Sequence, residues 1–160
     1  MTVTLNEAFG KWENPDREKG TKNLTDVDYA DKTRIILVDR PGSVQSIILA
    51  AHLVSSSSDD NAFNINAMNS ILGGEFTSRI NMNLREDKGW SYGAGSSIGQ
   101  AIRQRSFQIN TSVQTDKTAA SMQEIVKELK EYQSTRPPST EELDLMVKGK
   151  TLPLPGRFAT

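Results

Sequence analysis

Apolar positions along this chain change their period several times, and each change marks an element. The sharpest signal is "RIILVDRPGSVQSIILAAHLV" (34–54), where apolar runs at 35–38 and 44–54 flank Pro41 and Gly42. Proline presets one central turn angle and glycine tolerates the positive φ of the next, which predicts a type II turn. The flanking runs then read as the two strands of a hairpin. "SSSSDD" (55–60) is a polar loop ending in Asp59 and Asp60, good helix N-cap residues. After it, Phe63, Ala67, Met68, Ile71 and Leu72 recur at helical spacing until Gly73 and Gly74 stop the pattern.

A shorter helix is predicted over 78–88, with Ile80 and Leu84 inward and Gly89 closing it. Residues 90–98 then alternate. Trp90, Tyr92, Ala94, Ser96 and Ile98 share one face; Ser91, Gly93, Gly95 and Ser97 leave the other nearly bare, so another backbone can approach closely. Phe107, Ile109, Thr111 and Val113 give a half-buried strand. Ala119, Met122, Val126 and Leu129 form a helical stripe, and Ser139 with Glu142 forms a capping box ahead of Leu143, Met146 and Val147. Two strands and two helices, repeated, predict an α+β fold: a two-layer sandwich, mostly antiparallel, with helices packed on one face of the sheet. Residues 1–33 are mixed and polar. Val3, Leu5 and Phe9 suit the tail of a preceding helix and "ENPDREKGTKN" a linker, which leaves 34–160 as the folded unit.

Composition narrows the function classes. A chain of 160 residues can bury a single core. Nineteen basic and twenty acidic residues give a net charge of -1, and the basic ones are scattered along solvated helix faces. A nucleic-acid partner would call for a basic face, and none is visible. Without cysteine there are no disulfides and no thiolate metal sites. No run is long enough to span a bilayer, and "MTVTLNEAFG" has neither the basic start nor the apolar block of a signal peptide.

Catalytic chemistry is also poorly provided. His52 is the single histidine, lying in an apolar strand, and neither HExxH nor HxxEH occurs, so no metal ligand set is expected. There is no GxSxG elbow for a nucleophilic serine, and Gly73 and Gly74 follow a helix rather than a strand, unlike a phosphate-binding loop. Arg85 and Tyr92 stand on either side of Gly89. Read by residue type alone, Arg85 is a solvated helix residue paired with Glu86 or Asp87, and Tyr92 a core aromatic beside Trp90.

One stretch carries more. "MNSILGGEFTSRINMNLREDKGWSYGAGSS" (68–97) resembles the hallmark segment of the non-catalytic half-domains in the insulinase and pitrilysin family of zinc metallopeptidases, which includes the mitochondrial processing peptidase. "ILVDRPGSVQSIILAAH", "FGKW", "VQTDKTAASMQEIVKEL" and "STEELDLMVKGKTLPLPGRFAT" resemble flanking parts of long bacterial members, so the likeness runs over residues 8–160. The resemblance implies two homologous halves closing around a peptide. Zinc and the HxxEH helix belong to the catalytic half; this chain would be the opposing half, holding no cofactor and inactive alone. Arg85 and Tyr92 would be the substrate-binding residues, pointing across the chamber to hold the peptide backbone or polarise its scissile carbonyl. Gly73, Gly74 and Arg79 would be structural.

Such halves usually continue beyond the position of Phe158, and Met1 falls within what resembles a preceding helix. The chain therefore reads as a piece of a longer bacterial peptidase, with a periplasmic or cell-envelope setting and exposed apolar surface that favours self-association. Two other readings stay open: a scaffold member of the same fold without proteolytic role, and an independent protein-binding module.

Overall fold

The computed structural model describes residues 2–13 and 20–158. Three strands, β1 (Gln45–Val54), β2 (Ser91–Ile98) and β3 (Arg105–Gln114), form an antiparallel sheet in the order β1-β3-β2. Ile48 of β1, Ala94 of β2 and Ile109 and Val113 of β3 are turned to one face by strand alternation. Helices cover that face. They are α2 (Ala62–Asn69), which runs into a π-helical turn at Ser70–Gly74; α3 (Arg79–Asn81), which widens into another at Met82–Asp87; and α4 (Thr118–Gln133). Leu72, Ile80, Leu84 and Ile125 close the core from the helical side. The described elements make the α+β arrangement that the periodicity predicts, with α2 to α4 on one side of an antiparallel sheet; α1 (Thr2–Phe9), α5 (Thr140–Thr151) and α6 (Leu154–Phe158) complete them. Among the described residues, no helix is long and apolar enough to cross a membrane.

Part of the predicted linker, residues 14–19, lies outside the described residues. Residues 35–38 differ from expectation: they form no strand, and their side chains are 76–86% exposed. The turn after them does form. Gly42 has φ +79° and the Ser43 N–H donates to the Arg40 carbonyl at 3.2 Å. A type II turn, however, diverges from the twist of paired strands, whereas tight hairpins use types I′ and II′. The same glycine that makes the turn legible thus argues against the hairpin, and among the described residues β1 pairs only with β3.

Three further positions depart from strict periodicity. Ser91 opposes Val113 and Ala94 opposes Thr111, so β2 carries one extra residue between those pairs. The bulge turns Ser91 inward, where its hydroxyl lies 2.8 Å from the Thr111 hydroxyl, and it turns Tyr92 outward, away from the face of Ala94 and Ile98. Helix α4 is rotated from the predicted stripe: Ser121, Ile125 and Glu128 are buried, while Ala119 and Val126 face solvent. Glu128 is drawn inward by Asn83 and Arg136, both bonded to its carboxylate. At the start of α2 the cap position is Asn61, and Asp59 accepts from the Asn61 N–H at 2.8 Å instead of capping.

The bare face of β2 does receive another backbone. A Cβ on Gly95 would lie 3.1 Å from the Gly73 carbonyl, and one on Gly73 would lie 2.4 Å from the Ser96 hydroxyl. The capping box of α5 is complete: the Glu142 N–H donates to the Ser139 hydroxyl at 3.2 Å, and the Ser139 N–H donates to the Glu142 carboxylate at 2.8 Å.

Candidate functional site

The π-helical turn Met82–Asp87 ends at a glycine in the left-handed region, Gly89, φ +64°. Lys88 N–H reaches back five residues to the Asn83 carbonyl at 3.0 Å, Gly89 N–H bonds Arg85 O at 3.1 Å, and Trp90 N–H bonds Leu84 O at 3.0 Å. The chain then reverses, and Gln114 N–H bonds Trp90 O at 3.1 Å to begin the ladder. Leu84 is buried in the core, so its neighbour Arg85 is carried to the rim of the helix. Across the reversal stands Tyr92, thrown outward by the bulge and 89% exposed.

These two side chains meet. The Arg85 guanidinium carbon is 5.4 Å from the centroid of the Tyr92 ring and 4.6 Å from that of Phe76, and Arg85 Nε pairs with Glu86 at 3.2 Å. The local pairing with Glu86 expected from residue type is therefore present together with the convergence on Tyr92. Arg85 is only partly exposed, whereas Phe76 and Tyr92 lie largely in solvent. Cation–π attraction at such sites contributes about 0.5–1 kcal/mol and, more usefully, restricts a long side chain that would otherwise lose rotamer entropy on gripping a ligand.

Asn81 ties this cluster together. It is buried; its Nδ2 donates to the Phe76 carbonyl at 2.6 Å and its Oδ1 accepts from the Ala94 N–H at 3.0 Å. One amide thus fixes the turn bearing Phe76 to the strand bearing Tyr92. Sequence reasoning missed both Phe76 and Asn81. The available signal was a polar residue at 81, one helical turn before Arg85 and beside the buried Ile80.

A second polar centre, around Arg79, ties α3 to the start of α5. Arg79 has only 8% of its side chain exposed. Its Nε and Nη2 donate to the two Glu142 oxygens at 2.6 Å each, Nη2 also reaches the Pro137 carbonyl at 3.0 Å, and Nη1 bonds the Arg136 carbonyl. The hydrogen bond from Arg79 holds the Glu142 carboxyl below the usual carboxylate range, and the same bond raises Arg79. The Arg79 guanidinium carbon lies 5.0 Å from the Tyr132 ring centroid, and burial pushes the Tyr132 phenol up. The Asn83 amide donates to Glu124 at 2.9 Å, and that bond holds the Glu124 carboxyl low.

His52 lies exposed on β1, its ring centroid 5.9 Å from that of Tyr29. Among the described residues, no three His, Cys, Asp or Glu side chains gather where they could hold a metal ion. The residues here do not fit a zinc site. What the geometry offers is a cation and a phenol side by side, able to donate hydrogen bonds to an acceptor without acting as nucleophile or metal ligand.

A family profile described as the peptidase M16 inactive domain matches residues 2–150. The chain belongs to that family. It is a non-catalytic, peptidase-like half-domain, in agreement with its resemblance to the insulinase and pitrilysin peptidases. Among solved structures, an M16 inactive domain from Pseudomonas fluorescens matches with 24% identity and TM-score 0.65, over 74% of this chain and 28% of that one. A protease from Helicobacter pylori matches with 17% identity and TM-score 0.82, over 97% of this chain and 37% of that one. A conserved protein from Enterococcus faecalis V583 matches with 23% identity and TM-score 0.57, over 70% and 27%. These likenesses show the fold. The inactive domain described here spans between 27% and 37% of those chains. No curated protein matches it.

Proposed function

We propose that this inactive domain clasps a peptide against the catalytic half of a zinc metallopeptidase, with Arg85 and Tyr92 holding the peptide backbone. In this reading residues 34–160 form the clasping half and residues 1–33 lead into it. Zinc chemistry belongs to the partner half, and this chain supplies hydrogen-bond donors only. The observation that carries the reading is the convergence of Arg85 on Tyr92, 5.4 Å from guanidinium carbon to ring centroid, with the tyrosine almost fully in solvent. An outward phenol at a strand bulge contributes nothing to the core, and a guanidinium fork with a phenol suits a line of peptide carbonyls.

The test is peptide binding to the full chain, read by fluorescence anisotropy with an unstructured labelled peptide, in wild type, Arg85→Ala and Tyr92→Phe. Losing the charge-assisted bonds of Arg85 is expected to weaken binding about tenfold or more, and losing the neutral phenol bond of Tyr92 about threefold to tenfold. Both variants should melt within a degree or two of wild type, since neither residue is buried. Where the catalytic half is present, loss of either donor should also depress cleavage about a hundredfold. Unchanged affinity in both variants, or loss of folding in Tyr92→Phe, would overturn the assignment. The exposed run at 35–38 and the outward Ile47 and Leu49 of β1 further support self-association of the chain.

A further inference from the structure

We propose that the cavity between α5 and residues 70–78 is a subsite for a bulky apolar side chain of the peptide that Arg85 and Tyr92 hold. It rests on the reading above and deepens it by naming a substrate class. The cavity measures about 310 Å³, within the range of small-ligand pockets. Ile71 and Phe76 line it from one side, Leu145 and Met146 from α5. Its two acidic residues are already paired: Glu75 with Lys150 at 2.7 Å, Glu142 with Arg79 at 2.6 Å. An apolar guest therefore meets no uncompensated charge, and a charged one finds no free partner among these groups.

Continuity with the donor pair comes from one ring. Phe76 borders the cavity and also lies 4.6 Å from the Arg85 guanidinium carbon. Its backbone is fixed to β2 through Asn81, which holds the turn bearing the ring beside the strand bearing Tyr92. A peptide whose backbone crosses Arg85 and Tyr92 carries a neighbouring side chain past Phe76 to the mouth of the cavity. The lining also includes Gly149 of α5, where an added Cβ would meet nothing within 4 Å. A larger residue at this lining position finds open space around its Cβ and narrows the cavity, and a helix-favouring one would strengthen α5.

The experiment compares two labelled Gly/Ser-rich peptides, identical except for one Phe or Ala, binding to the full chain. Burying a large apolar side chain in a half-open cavity is expected to favour the Phe peptide about tenfold. Gly149→Leu should abolish that preference, leave the Ala peptide's affinity unchanged and melt at or above the wild-type temperature. Leu145→Ser, at an exposed position, should reduce the preference without filling the cavity. Arg85→Ala should weaken both peptides alike. If wild type shows no preference, or the preference survives Gly149→Leu, the subsite is rejected while the Arg85 effect still stands. If Arg85→Ala changes neither peptide, the clasping reading itself has failed, and the subsite falls with it.

Discussion

Glu142→Gln is the substitution that most directly tests how the site is held. None of the residues of α5 is buried, so its position depends heavily on polar ties: the Arg79–Glu142 pair near its start and Lys150–Glu75 near its end. Glutamine at 142 keeps an acceptor for the capping box but loses the charge, and it can accept only one of the two hydrogen bonds from Arg79. Arg79 keeps its bonds to the Arg136 and Pro137 carbonyls, so it is not left wholly unpaired. Cutting a fully buried pair costs about 3–5 kcal/mol. Glu142 is 29% exposed and Arg79 retains two acceptors, so we expect about 2 kcal/mol here. For a chain of this size that lowers Tm by about 4–8 °C. Arg79 holds the Glu142 carboxyl below its ordinary value. The stabilisation is therefore fully present above the unfolded-state value of about 4.3 and is lost as pH falls through the lower folded-state value. Thermal melts of wild type and Glu142→Gln should differ at pH 7 and converge in acid below the carboxylate range. A difference under about 0.5 kcal/mol at pH 7, or one that widens on acidification, would refute the reasoning.

Two further outcomes are expected. Gly73→Ala places a Cβ 2.4 Å from the Ser96 hydroxyl and 2.8 Å from the Ser96 backbone nitrogen, so β2 must shift; urea unfolding should show about 1–3 kcal/mol of destabilisation, and a neutral result would mean the approach is looser than described. Sedimentation should show the chain self-associating as concentration rises, and replacing Ile36 and Leu37 by serine should shift it towards monomer; a strictly monomeric wild type at high concentration would reject the proposed role of the 35–38 run.

The elements legible in the sequence are those whose causes are local. Ser139 and Glu142 sit three residues apart and satisfy each other's backbone donors, so the start of α5 could be read directly. Gly42 and Gly89 mark the positive-φ positions where the chain turns, because most side chains adopt that conformation only with strain. What escaped depends on distant partners. Arg79 meets Glu142 from 63 positions away, and the rotation of α4 follows from Glu128 bonding Asn83 and Arg136, which no periodicity count includes. The hairpin is absent for a subtler reason: Pro41 and Gly42 dictate a type II turn, and that type splays the strands it would have to pair.

Tyr92 is the most instructive case, because two lines of sequence reasoning disagreed about it. Alternation placed it inward with Trp90 and Ala94; the family resemblance placed it outward beside Arg85. The bulge between Ser91 and Ala94 resolves the conflict in favour of the outward position, and Ser91 helps stabilise it by bonding Gly93 and Thr111 from inside. A strand with unbroken alternation would have buried this phenol, and the Arg85 guanidinium would then have been left with Phe76 and Glu86. The residue that breaks the period is also the one whose exposure the fold itself does not require. A local departure from alternation that places a large side chain in solvent is where a binding role is most directly sought, because the core gains nothing from it.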